Sequence, residues 1–219
     1  MLDLAEELFL ISINDEKGVV HSTAVPNLRY GLAGAVLADL TLLGKLGLED
    51  TRHVIVLDPS LTGDEILDEA LVRIVNNDRP RRVSFWVSEL SQHVKQFQSR
   101  LASGLVTMGI LRKEGLRFMW IIPYNVYPQQ DASAKYWIKH RLRETVLANV
   151  KPDPRTIALL SLLSACKMLD LVFTKDERKA ARQKIEQYGR DEVFGQAVTE
   201  TLDAIEAASV AAILAASSA

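Results

Sequence analysis

The chain has 219 residues, with 26 lysines and arginines against 28 aspartates and glutamates and a formal net charge of −2. Its 48% hydrophobic and 25% charged residues are those of an ordinary globular protein able to bury its own core, which excludes a disordered chain and a disulfide-stapled miniprotein. A slightly acidic molecule is not drawn to polyanions by bulk charge, so an anionic partner requires a local basic patch.

Cys166 is the only cysteine, which leaves no intramolecular disulfide and fits a reducing cytoplasm. The opening Met1-Leu2-Asp3-Leu4-Ala5-Glu6-Glu7 lacks the basic and apolar stretches of a secretion signal. The longest apolar runs fall short of the roughly 20 residues that span a bilayer, so contact with a membrane is expected to be peripheral, from the cytoplasmic side.

Leu4, Leu8 and Ile11, with Phe9 and Leu10, predict a first helix with a wide apolar face, closed by a turn at 14–18. A short extended piece at 19–21 and a loop at 22–26 follow. Leu28, Leu32, Ala35, Val36, Asp39 and Leu43 then recur at three- and four-residue steps. They predict the helix around which the chain is organised, N-capped by Asn27 and ended by Gly44. Gly31, Gly34, Ala35 and Ala38 leave one flank nearly bare, so a second helix can approach closely although each glycine costs about 1 kcal/mol of helix propensity. Arg29, in the first turn beside these small residues, is a candidate for a shallow basic pocket.

The β-branched run at 51–57 predicts a strand stopped by Asp58-Pro59. Thr62-Gly63-Asp64-Glu65 predicts a helix start with acids in its first turn, followed by a buried face of Ile66, Leu67, Ala70, Leu71, Ile74 and Val75. Between 84 and 108 two helices are expected, the second carrying Lys95, Gln98 and Ala102 on a shared exposed side. Residues 109–124 read as a β-hairpin turning at 113–115, with Leu116, Phe118, Trp120, Ile122 and Tyr124 on one face. Both faces are apolar, and a lone hairpin is marginal, so it must pack on the body, on a second subunit or in a lipid interface. A helix at 131–149 carries the basic run Lys139, His140, Arg141 and Arg143, which reads as a solvated face. A buried helix over 156–171, a charged one over 175–188 and an alanine-rich one over 191–219 complete the chain.

The four histidines, at 21, 53, 93 and 140, lack ligand spacing, and no Walker loop, GxGxxG or GxSxG is present. No catalytic residue, metal site or cofactor is expected. Leu4-Ala5-Glu6-Glu7-Leu8-Phe9-Leu10, Gly31-Leu32-Ala33-Gly34-Ala35-Val36-Leu37-Ala38-Asp39-Leu40 with Gly44-Lys45-Leu46, Thr62-Gly63-Asp64 with Leu67-Asp68-Glu69-Ala70-Leu71, and Arg100-Leu101 through Gly109-Ile110-Leu111 follow one another along the chain as successive blocks. In these blocks the chain resembles the Golgi phosphoprotein 3 family, and Pro152-Asp153-Pro154-Arg155-Thr156 resembles its prokaryotic branch.

The resemblance implies a mainly α fold: a single globular helical domain over 1–219 with a protruding apolar β-hairpin, acting as a peripheral membrane protein. It implies binding of phosphatidylinositol 4-phosphate, as in eukaryotic members, which also hold the cytoplasmic tails of glycosyltransferases. The family's lipid pocket uses a loop aromatic, an arginine of the organising helix and two basic residues three apart. These positions fall on Ala24, Ala33, Lys95 and Gln98 here, with Arg29 one turn before Ala33. The expected function is therefore non-enzymatic binding of anionic phospholipid headgroups by Arg29, Lys95 and Gln98. Leu116, Phe118, Trp120 and Ile122 of the hairpin would be the membrane anchor. The alternative is a soluble homo-oligomeric adaptor for acidic protein tails, assembled through the hairpin. A nucleic-acid-binding winged helix, suggested by the helix-then-hairpin order, is disfavoured by the acidic balance.

Overall fold

A computed structural model describes residues 2–49, 53–118, 122–148, 150–188, 207–208 and 210–216, without the side chains of 93–95, 117–118, 122–123 and 188. Its helices are α1 (Leu4–Ser12), α2 (Leu28–Leu42), α3 (Glu65–Val75), α4 (Val83–Thr107), α5 (Ser133–Leu147), α6 (Pro154–Ala165) and α7 (Glu177–Tyr188). Strands β1 (Leu46–Leu48), β2 (His53–Val56) and β3 (Arg81–Arg82) form a small antiparallel sheet in that order. β4 (Glu114–Phe118) and β5 (Ile122–Val126) form a separate hairpin. The fold is mainly α, as expected.

α2 touches α1, α3, α4 and α6. Of its residues only Arg29 is exposed and only Leu42 is half-buried. A helix apolar on every side can only lie at a centre, and here the small flank lets its neighbours in. A methyl group added at Gly31 would stand 2.4 Å from Cys166 Sγ and 3.1 Å from a Leu8 methyl. Cys166 itself is fully buried. Asn27 does not cap α2 with its side chain, as the sequence suggests; its amide instead donates to the Cys166 carbonyl at 2.9 Å, tying the start of α2 to the end of α6.

Carboxyl groups sit deep in this core. Asp39, 2% exposed, accepts from the Leu4 amide at 2.8 Å and from Arg155 Nη1 at 3.2 Å. It thus satisfies an N-terminal amide of α1 that has no helical partner. Beside it Glu7, 3% exposed, pairs with Arg141 Nη2 at 2.6 Å, so α1, α2, α5 and α6 meet in one ionic network. Asp3 caps α1 by accepting from the Glu6 amide at 2.6 Å, and the Glu6 carboxylate returns the bond to the Asp3 amide at 3.0 Å. Burial, then the charges of Asp39 and Glu6, pushes the Asp3 carboxyl up to about 8. Burial likewise lifts Asp39 to about 7 against the pull of Arg155 and the α1 amides.

Three helices end in the same way. After α2 and α4, Gly44 (φ 70°) and Gly109 (φ 73°) turn left-handed, and the amide beyond each returns to a carbonyl five residues back: Lys45 to Leu40, Ile110 to Leu105. After α6 the same pair of bonds forms, Lys167 to Ser164 and Met168 to Leu163, but the left-handed residue is Lys167 (φ 59°). A non-glycine residue there costs on the order of 1 kcal/mol.

Several expectations are corrected. Residues 83–107 form one continuous helix rather than two, because nothing around Ser91-Gln92-His93 breaks it. Ala102 on that helix is fully buried, not on an exposed side. The hairpin does not turn at 113–115: Glu114 and Gly115 pair with Val126 and Asn125, and the strands are joined across 119–121, which lie outside the described residues. The predicted strand at 51–57 is the four-residue β2, with 51–52 outside the described residues. β1 and β3, unforeseen, complete its sheet. The helix expected over 156–171 ends at Ala165, stopped by the left-handed Lys167. Of the alanine-rich helix, 207–208 and 210–216 are helical.

Gly31→Ala should lower stability by about 1–2 kcal/mol, because overpacking against Cys166 (about 1–3 kcal/mol) outweighs the helix propensity gained (about 1 kcal/mol). Urea denaturation checks this, and pairing the change with Cys166→Ala should recover much of the loss. The raised carboxyls of Asp3 and Asp39 make stability fall with pH. Each binds its proton more tightly folded than unfolded, so the stabilisation is complete below the ordinary value of 3.8 and is lost as pH rises toward about 8. Asp3→Asn, which keeps a capping oxygen, should reduce the fall of the urea midpoint between about pH 5 and pH 8 and leave the share due to Asp39.

Candidate functional site

A cavity of about 350 Å3 opens where the root of the hairpin meets the body. Phe9, Ile13, Val19 and Val20 form its apolar wall, and Gln98, Ser99, Asn125 and Tyr127 its polar one. Backbone bonds hold the wall together: Tyr127 donates to the Gly18 carbonyl at 2.7 Å, and Gln129 to that of Asp15 at 3.0 Å. Any side chain at Gly18 would strike Pro128, with atoms 2.2 Å away, so the turn and the hairpin root are in direct contact. Lys135 of α5, only 4% exposed, locks the same turn by donating to the Ile13 carbonyl and to the Asp15 carboxylate. Burial holds its ammonium below the ordinary lysine range, and Asp15 partly restores it.

From this root the hairpin runs outward with Leu116 opposite Tyr124 and Phe118 opposite Ile122. Leu116 and Tyr124 are exposed by 42% and 43%, an apolar pair turned to solvent. The side chains of Phe118 and Ile122, and Trp120 altogether, lie outside the described residues.

The residues expected to bind a headgroup fall in different places. Gln98, half-buried, lines the cavity. Lys95 lies one turn earlier on α4, with its side chain outside the described residues. Arg29 is exposed at the start of α2, lines none of the described cavities, and has no carboxylate partner among the described residues. Its guanidinium lies 4.5 Å from the Tyr30 ring centroid and donates to the Tyr30 hydroxyl at 2.5 Å. Ala24 and Ala33 are fully buried and form part of the core.

The basic run of α5 is not a free cationic face. Arg141 is held by Glu7, Arg143 forks onto Glu177 at 2.6 and 2.7 Å, and His140 Nδ1 lies 3.1 Å from Glu144. That helix also exposes aromatic side chains, which the sequence reading missed. Tyr136 and Trp137, exposed by 58% and 63%, stack edge to face at 5.4 Å, with the His140 ring 5.8 Å from that of Trp137. Tyr136, Trp137 and His140, of mixed polarity, carry no apolar period that would have flagged them. Among the described residues no group of histidine, cysteine and carboxylate side chains could hold a metal ion, and no helix is long and apolar enough to cross a membrane.

Residues 4–205 match the family model described as Golgi phosphoprotein 3 (GPP34). The vacuolar protein sorting-associated protein 74 of Eremothecium gossypii is 31% identical, over 72% of this chain and 54% of that protein. Its namesake in Schizosaccharomyces pombe is 30% identical, over 68% of this chain and 49% of that protein. The chain therefore spans about half the length of these fungal relatives.

Proposed function

Since the chain belongs to the Golgi phosphoprotein 3 family, we propose that it is a peripheral membrane protein that binds anionic phospholipid headgroups, phosphatidylinositol 4-phosphate being the ligand to try first. The observation that carries this reading is the pairing of the exposed Leu116 and Tyr124 of the hairpin with a polar-walled cavity at its root. A hairpin entering the acyl region would bring its own root, with Gln98, Ser99 and Asn125, to headgroup depth. Lys95 on α4 and Arg29 on α2 supply positive charge, each worth about 1 kcal/mol where it comes near an anionic surface. Neither suffices alone, since stable attachment needs a second contact, and the apolar hairpin supplies it. The exposed Tyr136 and Trp137 add side chains of the kind that settle at the water–lipid boundary.

The adaptor reading retains one favourable observation: the same exposed pair, Leu116 and Tyr124, could join two subunits instead. Flotation with phosphatidylcholine vesicles separates the two, one set carrying phosphatidylinositol 4-phosphate and one carrying phosphatidylserine at equal charge. The expected result is preferential flotation with the phosphoinositide, weakened by salt and about five-fold by Arg29→Ala or Lys95→Ala. Leu116→Asp should abolish it, and Gln98→Arg should strengthen it. Binding indifferent to headgroup, salt and these substitutions would overturn the proposal. Should Leu116→Asp instead dissociate an oligomer in sedimentation while leaving flotation intact, the hairpin is an assembly element.

A further inference from the structure

The arginines that face the helical body are spoken for. Arg73 and Arg100 pair with Glu69, Arg141 with Glu7, Arg143 with Glu177 and Arg155 with Asp39. Lys167, Arg178 and Arg182 are different. They converge on a cavity of about 470 Å3 between the end of α6 and the face of α7, lined also by Thr23, Ser164, Leu169 and Asp170. Among the described residues none of the three has an ion-pair or side-chain hydrogen-bond partner, and neither do the hydroxyls of Thr23 and Ser164. Asp170 is the one acid in the lining, and no cation stands within ion-pair distance of it.

Two features argue that this is a built arrangement and not a scatter of surface charge. Lys167 occupies the left-handed position that glycine fills after α2 and α4, so the cation is kept there against a backbone preference. Arg178 sits in the first turn of α7, where the helix dipole repels a cation and attracts an anion, and Arg182 follows one turn later on the same face. Three cations against the single acid Asp170 leave a positive excess around the cavity that an anion relieves. Guanidinium forks suit the oxygens of a phosphate, the ammonium adds a point charge, and the two hydroxyls add short donors.

We infer that Lys167, Arg178 and Arg182, with Ser164 and Thr23, form a second anion site, distinct from the hairpin cavity, that binds a phosphate monoester group. It shares no lining residue with the cavity at the hairpin root, so it stands or falls independently of that assignment. The hydrogen bond from Asn27 to the Cys166 carbonyl is what assembles it, holding the loop that carries Thr23 against the turn that carries Lys167.

The group can come from a soluble ester or from a lipid, and glycerol 3-phosphate and phosphatidic acid present the same chemistry in the two forms. Titration calorimetry of the full chain with glycerol 3-phosphate, and flotation with phosphatidylcholine vesicles containing phosphatidic acid, should show binding in at least one arm. Binding in the first marks a soluble ligand; binding in the second alone marks a lipid. In either arm Arg178→Ala with Arg182→Ala should weaken it at least tenfold. Lys167→Gly should also weaken it while raising the melting temperature by about 2–4 °C, a direction that loss of fold cannot produce. No binding in either arm, or binding unchanged in both variants, would overturn the site. So would Lys167→Gly gaining stability at no cost in affinity, since the lysine would then serve only the end of α6.

Discussion

The structure depends on the burial of α2 from all sides. A helix so enclosed has no solvent face on which to place its polar groups, and its neighbours must come close enough to exclude water. Gly31 permits this on the side of Cys166 and Leu8. The same enclosure makes Asp39 expensive, since a carboxylate taken from water needs several compensating bonds. It finds them in the Leu4 amide and in Arg155. The core helix therefore supplies the acceptor for a first-turn amide of another helix, and the starts of α1 and α6 are tied by a residue belonging to neither. That arrangement fixes the direction of α1, and with it the turn that meets the hairpin root.

How much of this was legible depends on the range of the interaction. Apolar period and local capping signals placed α1, α2, α3, α5 and α7 within a few residues, because those signals act over one or two turns. Asp64, which accepts from the Ile66 and Leu67 amides, is such a case. Where a distant partner decides, the reading failed. Asn27 has the composition of a cap, but the Cys166 carbonyl, 139 residues away, takes its side chain. Arg141 and Arg143 have the look of a solvated run, but Glu7 and Glu177 claim them from other helices. The hairpin register slipped for a related reason. Gly115 is a plausible turn residue by local preference, but the stitching of 111–112 to 128–129 beneath the hairpin shifts the strands to 114–118 and 122–126.

The candidate sites were less legible than the fold. Gln98 was reached only through resemblance, and its place in the hairpin cavity follows from packing that no short motif encodes. The cavity between α6 and α7 was not anticipated at all. Lys167, Arg178 and Arg182 lie in what reads as a buried helix followed by a charged one, and only the early stop of α6 brings them to one place. A left-handed residue that is not glycine leaves no trace in an apolar period.

Charge is distributed in this molecule by a consistent rule. Where a guanidinium reaches into the body it meets a carboxylate that is itself buried, as Arg155 meets Asp39 and Arg141 meets Glu7, so the inner pairs cancel and create no field outside. Pairs of this kind hold helices in register but add little net stability, since the desolvation of both partners offsets much of their attraction. Among the described cations without a carboxylate partner are Arg29, which rests on Tyr30, and the group around Lys167; Arg29 and Lys167 lie close in sequence to Asn27 and Cys166, the two residues whose hydrogen bond joins α2 to α6. A chain whose net charge is −2 can therefore still present a positive surface there. The field that such a surface exerts is local, falling off within a Debye length of about 8 Å at physiological salt. An anion must accordingly be brought close by some other contact or be small enough to enter, and these are the conditions that a hairpin beside one cavity and an open recess at another separately provide.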